Sequence, residues 1–382
     1  MERVTVLIGG DVCPCGPTED LFRRGDARAI FGDLLPAFES ADVAVVNLEC
    51  PLTGEPSPIE KAGSLFRADP SCVNGLSSAG IDAVNLANNH ILDHGPKGLR
   101  RTLESCRAAG IRCFGAGENL AEAGSPLVFD VRGSRVALLA VAEHEFSTAG
   151  ETTCGANPLD LIDFCHFVEA HRGDYDSLIV LVHGGAEHYR YPSPRLQKTC
   201  RFLVEQGASA VICQHSHCPG TYETHHGAPI VYGQGNLVFH EPNHDVDYYR
   251  GFLVKLTLRP GEAGPAMEIV PYFQCYQQLG TRLMSPSEDQ AFREEIVSRS
   301  RVLSDHAEVK RLWRDFCASQ RDVYLAMSLG YGRLLRRVNR RFGFARFLFS
   351  RRRLLLLLHL VRCESHQEAL QTILEEVPRK LD

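Results

Sequence analysis

No run in this 382-residue chain reaches the roughly 18 apolar residues that a bilayer-spanning helix requires. No basic-then-apolar leader precedes the first strand, since Arg3–Ile8 already reads as structure. Internal repeats and low-complexity linkers are also missing. Nor is there an excess of positive charge. The formal net charge is −6, which excludes a globally basic nucleic-acid binder, and no nucleic-acid partner is expected. Fourteen cysteines in a chain of this size, without a leader, point to a reducing compartment rather than a disulfide scaffold. Several of them (Cys72, Cys106, Cys165, Cys200) fall in helical patterns and read as small core residues. A cytoplasmic location is therefore the expectation. With 44% hydrophobic and 23% charged residues, the chain can build one large α/β domain with an appendage, or two domains.

What is present is an alternation of strand and helix. Val4–Gly10 is a short β run ending at Asp11, and Ala41–Asn47 is a second buried strand with Glu49 two residues beyond it. A helix is expected over Phe31–Phe38, then a loop over Gly54–Arg67, then a helix opened by Asp69 and Pro70 as cap and first residue. Ile81–Leu86 reads as a buried strand, after which Asn88, Asn89, His90, Asp93, His94 and Gly95 arrive together. Taken alone, that stretch could be a strand–turn–helix junction, with Asn89 left-handed and Asp93 capping the following helix. The alternation up to this point indicates a mainly parallel sheet.

Later strands are expected at Pro126–Val131 and Arg135–Val141 as a hairpin, and at Ser177–Val182 running into His183. Ala208–Cys213 runs into Gln214, His215, Ser216 and His217. Pro229–Tyr232 leads to Gly233–Phe239, and Gly251–Leu258 with Ala266–Phe273 reads as an antiparallel pair. Helices are expected over Gly98–Ala109, Pro158–His171 and Ser193–Gln206, while His225 and His226 belong in a hairpin turn.

The deciding coincidence is one of position. Asp11, Glu49, Asn89 with His90, His183, and His215 with His217 each follow an expected buried strand. Carboxylates, an amide oxygen and imidazoles are the ligand set of a divalent ion such as zinc, manganese or iron. Strand ends converging on one edge could hold one or two ions, about 3.5–4 Å apart in the two-ion case, and so activate water. One such end means little, but five are hard to ascribe to turns.

The order and spacing of these segments resemble the metallophosphoesterase (calcineurin-like) superfamily and, within it, the CapA family of capsule and poly-γ-glutamate synthesis proteins. The matching pieces are GGD at Gly9–Asp11, NLECPLT at Asn47–Thr53, NLANNHILDHG at Asn85–Gly95, HGGAEH at His183–His188, QHSHCPG at Gln214–Gly220 and YGQGNLVF at Tyr232–Phe239. The resemblance implies a β-sandwich flanked by helices (αββα), within an α/β class. It implies that Asp11, Glu49 and His217 hold one metal, and that Glu49 bridges to a second held by Asn89, His183 and His215. His90 would then serve the leaving oxygen, with Asp93 orienting it. The first-strand Asp-x-His of metallophosphoesterases is replaced by Asp11-Val12-Cys13, as in CapA-like chains. Cys13 is thus either a thiolate ligand or a plain buried residue. Cys213-Gln214 replaces the usual glycine-histidine before the paired histidines. Softer candidates for substrate contact are Glu145 (with neighbours Glu143 and His144), Glu187, His188 and Arg67, while Asn236 either supports its loop by hydrogen bonds or touches substrate.

From about Ser285 strand signals vanish, so residues 1–280 are expected as the CapA-like domain and 281–382 as a helical, arginine-rich extension. Val323–Arg362 contains ten arginines and no acidic residue, so a net −6 becomes −16 without it. Leu334, Leu335, Val338 and Phe342 form an apolar stripe beside Arg333, Arg336, Arg337, Arg340 and Arg341. Such a basic amphipathic helix either docks on an acidic surface or meets a membrane face or synthase complex. A location peripheral to the inner membrane face would follow from the second option. The expected activity is metal-dependent hydrolysis of a phosphoester in making a bacterial capsule or poly-γ-glutamate-type polymer. The expected partner is the anionic polymer or a phosphorylated precursor. The competing class is a non-catalytic, polymer- or precursor-binding assembly factor.

Overall fold

The computed structural model describes residues 2–376 except 243, 260, 261, 263, 331 and 345–347; the side chains of Arg333, Arg336, Glu375 and Glu376 also fall outside the description. Two compact units form, Met1–Lys310 and Arg311–Asp382. The first therefore takes in residues 281–310, beyond the 1–280 anticipated. Ser285 and Glu288 form a capping box that starts the helix Pro286–Ser300, whose Phe292 and Ile296 are buried in the main core.

In chain order the strands are β1 (Val4–Cys13), β2 (Val43–Leu48), β3 (Ala83–Asn85), β4 (Arg112–Phe114), β5 (Ala116–Gly117), β6 (Leu127–Val131), β7 (Ser134–Ala142) and β8 (Gly155–Ala156). They continue as β9 (Ser177–His183), β10 (Ala210–Gln214), β11 (Tyr222–His225), β12 (Ala228–Val231), β13 (Asn236–Phe239), β14 (Arg250–Leu258), β15 (Ala266–Gln274) and β16 (Thr281–Leu283). One eight-stranded sheet runs β16-β15-β14-β1-β2-β3-β4, with β13 alongside β1. A six-stranded sheet runs β11-β12-β10-β9-β7-β6, and β5 pairs with β8 as a short ribbon. Strands β1 to β4 are parallel, as are β7, β9, β10 and β12, while the late pair β14–β15 is antiparallel.

Side-chain alternation divides the second sheet between two cores. Leu138, Ala140, Ile179 and Leu181 join the cluster shared with the first sheet. Leu139, Val141, Leu178, Val180 and Val182 join a second cluster with Phe164 of the helix Leu161–His171 and Leu203 of the helix Pro194–Glu205. Burial on both faces is why these strands read as continuous apolar runs. The two-sheet sandwich flanked by helices is the architecture expected from the sequence.

Three elements differ from expectation. The helix placed at Phe31–Phe38 is broken: a helix Ala27–Phe31, a tight turn Gly32–Leu34 and a helix Leu35–Ser40. Gly32 has φ 46, and a Cβ there would lie 2.4 Å from the carbonyl oxygen of Thr281. Strand β3 keeps only three residues of Ile81–Leu86. Strand β1, by contrast, continues past Gly10 to Cys13, because its second half keeps β2 and gains β13 as a partner where β14 pairing ends at Ile8.

The second unit is helical in its described residues. The end of His306–Met327 is followed by Arg333–Phe342, Arg351–Arg362 and Glu364–Glu376. No described helix is long and apolar enough to cross a membrane.

Candidate metal centre

Asp11 lies within β1, not past its end, at a register irregularity where it faces both Asn47 and Asn236. Such an irregularity re-aims a side chain out of the regular pleat. The chain also packs unusually close here. A Cβ on Gly10 would sit 2.0 Å from the carbonyl oxygen of Gly235, and Gly235 itself has φ 75 and would carry a Cβ 2.4 Å from the carbonyl oxygen of Arg250. Asn47, the last-but-one residue of β2, gives its amide to Asp11 Oδ1 at 2.8 Å and lies 3.4 Å from His183 Nδ1. Asn88 in turn donates to Asn47 Oδ1 and to the Leu48 carbonyl.

The two sheets meet at Gln214. Its amide nitrogen donates to the Gly9 carbonyl at 2.8 Å, and its oxygen accepts from Asn85 at 3.1 Å. The residue in the unusual Cys213-Gln214 pair therefore stitches β10 to β1 and the end of β3. Cys213 instead faces away, its sulfur 3.5 Å from that of Cys200.

With the sheets so joined, their strand ends bring six donors together. Asp11, Glu49 and His217 each offer an atom within 4.8 Å of the others, and so do Glu49, His183 and His215. Glu49 belongs to both groups. Asn89 Oδ1 lies 3.0 Å from His183 Nε2, which is itself 3.1 Å from His215 Nδ1 and 3.4 Å from Glu49 Oε1. The Glu49 side chain is wholly buried, and neither carboxylate oxygen has a hydrogen-bond partner among the described residues. A buried carboxylate without hydrogen bonds is costly unless a cation compensates it. This orphaned, shared carboxylate fits a bridging ligand, and the oxygen and imidazole donors around it suit a divalent ion.

Electrostatics agree with the donor arrangement. Burial, then the Asp11 charge, raises the proton affinity of Glu49. Burial lowers His183 to about 4 and depresses His215 strongly, so both rings are neutral and able to ligate near pH 7. For His217 burial also opposes charge, but Glu49, Asp11 and its bond to Asn236 together outweigh it and raise the ring. Three histidines here have positive φ: His188 at 58, His215 at 98 and His217 at 53. Backbone strain of this kind persists only where surroundings impose it. At His215 they do: its amide donates to Asp11 Oδ2 at 3.1 Å.

His90 sits beside the donors. Its Nδ1 is 2.7 Å from Asp93 Oδ2, which, as an acceptor, places the proton of a neutral ring on Nδ1. Phe66 packs edge-on against the ring at 4.6 Å. Asp93 does not cap the next helix. His94 occupies that position, and Asp93 instead accepts from the Phe66 amide at 2.7 Å and pairs with Lys61. Asn89 is not left-handed, and His94 is structural, accepting from the Ser57 amide.

Lys61 and Asn47 are the residues that sequence reasoning missed. Lys61 Nζ also reaches the Asn89 carbonyl at 3.0 Å and lies 3.2 Å from His90 Nδ1. It belongs to an irregular loop with no periodic pattern to single it out. Asn47 did carry a signal, being a polar residue inside an otherwise apolar strand.

The softer candidates separate. Glu145 is exposed as a residue, yet its carboxyl is raised, first by burial, and it bonds the Asn89 side chain. Glu187 is exposed but close enough to act on Glu49, His183 and His217. The His188 ring lies 6.0 Å from that of His217 and 5.6 Å from that of His244, forming a wall beside the centre. Asn236 takes the supporting one of its two expected roles: it is fully buried, and its Oδ1 accepts from His217 Nδ1 at 2.8 Å. Arg67 directs its guanidinium to the carbonyls of Thr53 and Gly54. Glu143 accepts from the Gly185 amide. Cys13 is in neither donor group; burial raises its thiol, and it packs in the core. His225, the last residue of β11, and His226 lie at the β11–β12 hairpin turn as expected and, with Glu205, form a separate donor group in which His225 is half-buried and the other two are exposed.

The chain matches the family described as bacterial capsule synthesis protein PGA_cap over residues 5–241. It is similar to the capsule biosynthesis protein CapA of Bacillus anthracis, 27% identical over 62% of this chain and 60% of that protein. It is also similar to the PGA biosynthesis protein CapA of Bacillus subtilis (strain 168), 26% identical over 60% of this chain and 62% of that one. The match thus spans about three fifths of these relatives. A hypothetical protein from Thermus thermophilus aligns in structure with TM-score 0.45 and 17% identity, over 71% of this chain and 99% of that one. A family match over more than half of the chain, spanning the segments that build this centre, decides membership: the chain belongs to the bacterial capsule synthesis protein family.

Proposed function

We propose that this protein is a metal-dependent phosphoester hydrolase acting in the biosynthesis of a bacterial capsule or poly-γ-glutamate-type polymer. The observation that carries the proposal is Glu49, buried, without hydrogen bonds and common to two donor groups. The setting is supported by the names of the Bacillus relatives, and the chemistry by the likeness of the six motifs to metallophosphoesterases. Asp11, Glu49 and His217 would hold one ion, and Glu49, Asn89, His183 and His215 a second. Manganese, zinc and iron all suit these donors. Such ions supply Lewis acidity toward an anionic ester and lower the pKa of water.

The chain's own groups do the rest. Asp93 holds His90 by Nδ1 and supports the ring's positive charge, so that Nε2, when the ring carries its second proton, can pass that proton to a leaving oxygen. Lys61 balances the Asp93 charge, so the dyad carries no net negative charge beside an anionic substrate. Glu145 and Glu187 at the rim disfavour an anion until the centre holds its positive ions. Engagement of an anionic polymer or phosphorylated precursor is thereby tied to metal loading.

Elemental analysis, paired with a phosphomonoester and phosphodiester screen across added manganese, zinc and iron, tests the reading. The expected result is bound metal and turnover that falls in His90→Ala. Absence of metal, with activity indifferent to His90→Ala and Asn89→Ala, would overturn it. Metal without turnover would favour the non-catalytic assembly factor.

A further inference from the structure

The second unit carries a chemistry that the metal centre does not use. Residues 323–362 hold ten arginines and no Asp or Glu. The described helices in this segment are Arg333–Phe342 and Arg351–Arg362. At about 100° per residue, Leu334, Leu335, Val338 and Phe342 fall within one arc of about 100°, position 340 falls opposite, and positions 337 and 341 fall on the flank beside Leu334. Leu334 is 76% and Phe342 69% exposed. Four leucines and a valine of the second helix are exposed as well. Apolar surface on this scale marks an interaction site.

We propose that the helices Arg333–Phe342 and Arg351–Arg362 lie in the plane of an anionic lipid surface, with their apolar faces entering the acyl boundary and arginines such as Arg337, Arg340 and Arg341 engaging headgroup phosphates. Three features select this partner. The helices have 10 and 12 residues, and Gly343 at φ 60 ends the first, so neither spans a bilayer and each can lie flat. A nucleic acid or an anionic polymer would satisfy the arginines but leave the leucines in water. A second copy would cover the leucines but set ten arginines against ten. An anionic membrane answers both needs at once. The proposal does not require the metal centre to turn over any substrate.

Flotation of the full chain at physiological salt tests it, using phosphatidylcholine vesicles with and without phosphatidylglycerol. Recovery should be about tenfold higher with the anionic vesicles. It should fall about tenfold in Leu334→Ser/Phe342→Ser and in Arg337→Gln/Arg340→Gln/Arg341→Gln. Leu334→Met/Phe342→Met, which keeps the face apolar, should float like the unaltered chain and so separates loss of surface from loss of fold. Failure to float with anionic vesicles, or equal recovery with neutral ones, would overturn the proposal. So would undiminished flotation of Leu334→Ser/Phe342→Ser, since the arginines alone would then suffice, as for any polyanion. A dimer in sedimentation velocity that this variant converts to monomer, without vesicle binding, would assign the face to a second copy instead.

Discussion

Lys61 Nζ lies 2.5 Å from Asp93 Oδ1, and the two side chains are 2% and 0% exposed. A buried ion pair is weak evidence of stability, because desolvation of both charges opposes their attraction. Its position matters more. The same carboxylate holds His90, and the same ammonium holds the Asn89 backbone, so one pair ties the loop of Lys61 to the residues beside the metal donors.

Removing one partner should therefore be far worse than removing both. Lys61→Met leaves the Asp93 charge uncompensated and should lower unfolding free energy by about 3–5 kcal/mol. Lys61→Met/Asp93→Asn should recover part of that loss. Urea denaturation of the two variants beside the parent measures the difference.

At His90, chemistry and structure should separate. His90→Ala should retain the bound metal while hydrolysis falls by about 10²–10⁴-fold, the usual scale for a positioned acid–base group. Asn89→Ala should lose both metal and activity, because its Oδ1 is a donor. Metal content of the purified variants distinguishes the two cases.

Metal should also stabilise the fold. Ions that bind only the folded chain at about 100 times their dissociation constant add roughly 2.7 kcal/mol. Chelation should lower the melting temperature and re-addition restore it, whereas Glu49→Gln, which removes the shared charge, should weaken the response. A melting curve that ignores chelator in the parent protein would contradict the assignment of Glu49.

In metal-free protein, His183 makes stability fall with acid. Burial depresses its folded value to about 4 from 6.5, so the unfolded chain takes the proton first as pH drops. Its contribution is whole above 6.5 and is lost on descending to about 4. His183→Asn should flatten that part of the melting-temperature profile.

Gln214 offers a test of the sheet junction. Gln214→Leu leaves the Gly9 carbonyl and the Asn85 amide without this partner inside the sandwich, a loss of about 1–3 kcal/mol. Thermal unfolding should register it. Since Gln214 is not a donor, metal content should be kept.

Asp11, Glu49, Asn89, His183, His215 and His217 were legible in sequence because strand physics exposes them. A strand buried on both faces is apolar along its length, so a polar side chain within its last residues or just past its end stands out. The hairpin of β6 and β7 and the arginine segment were legible for the same local reasons, alternation and composition. The break at Gly32 was not, because it answers to Thr281, far along the chain.

For Ile81–Gly95, sequence alone determined that polar, ligand-capable groups follow a buried strand, and motif spacing tied them to the later histidines. Only the tertiary structure decided their division of labour. Asn89 faces His183 across the sandwich, His94 takes the helix cap, and Asp93 turns inward to Lys61 and His90. The physical reason is distance along the chain. Local sequence sets strand and turn, but which carboxylate is left without a partner, and which lysine is buried against another, depends on how two sheets close over each other.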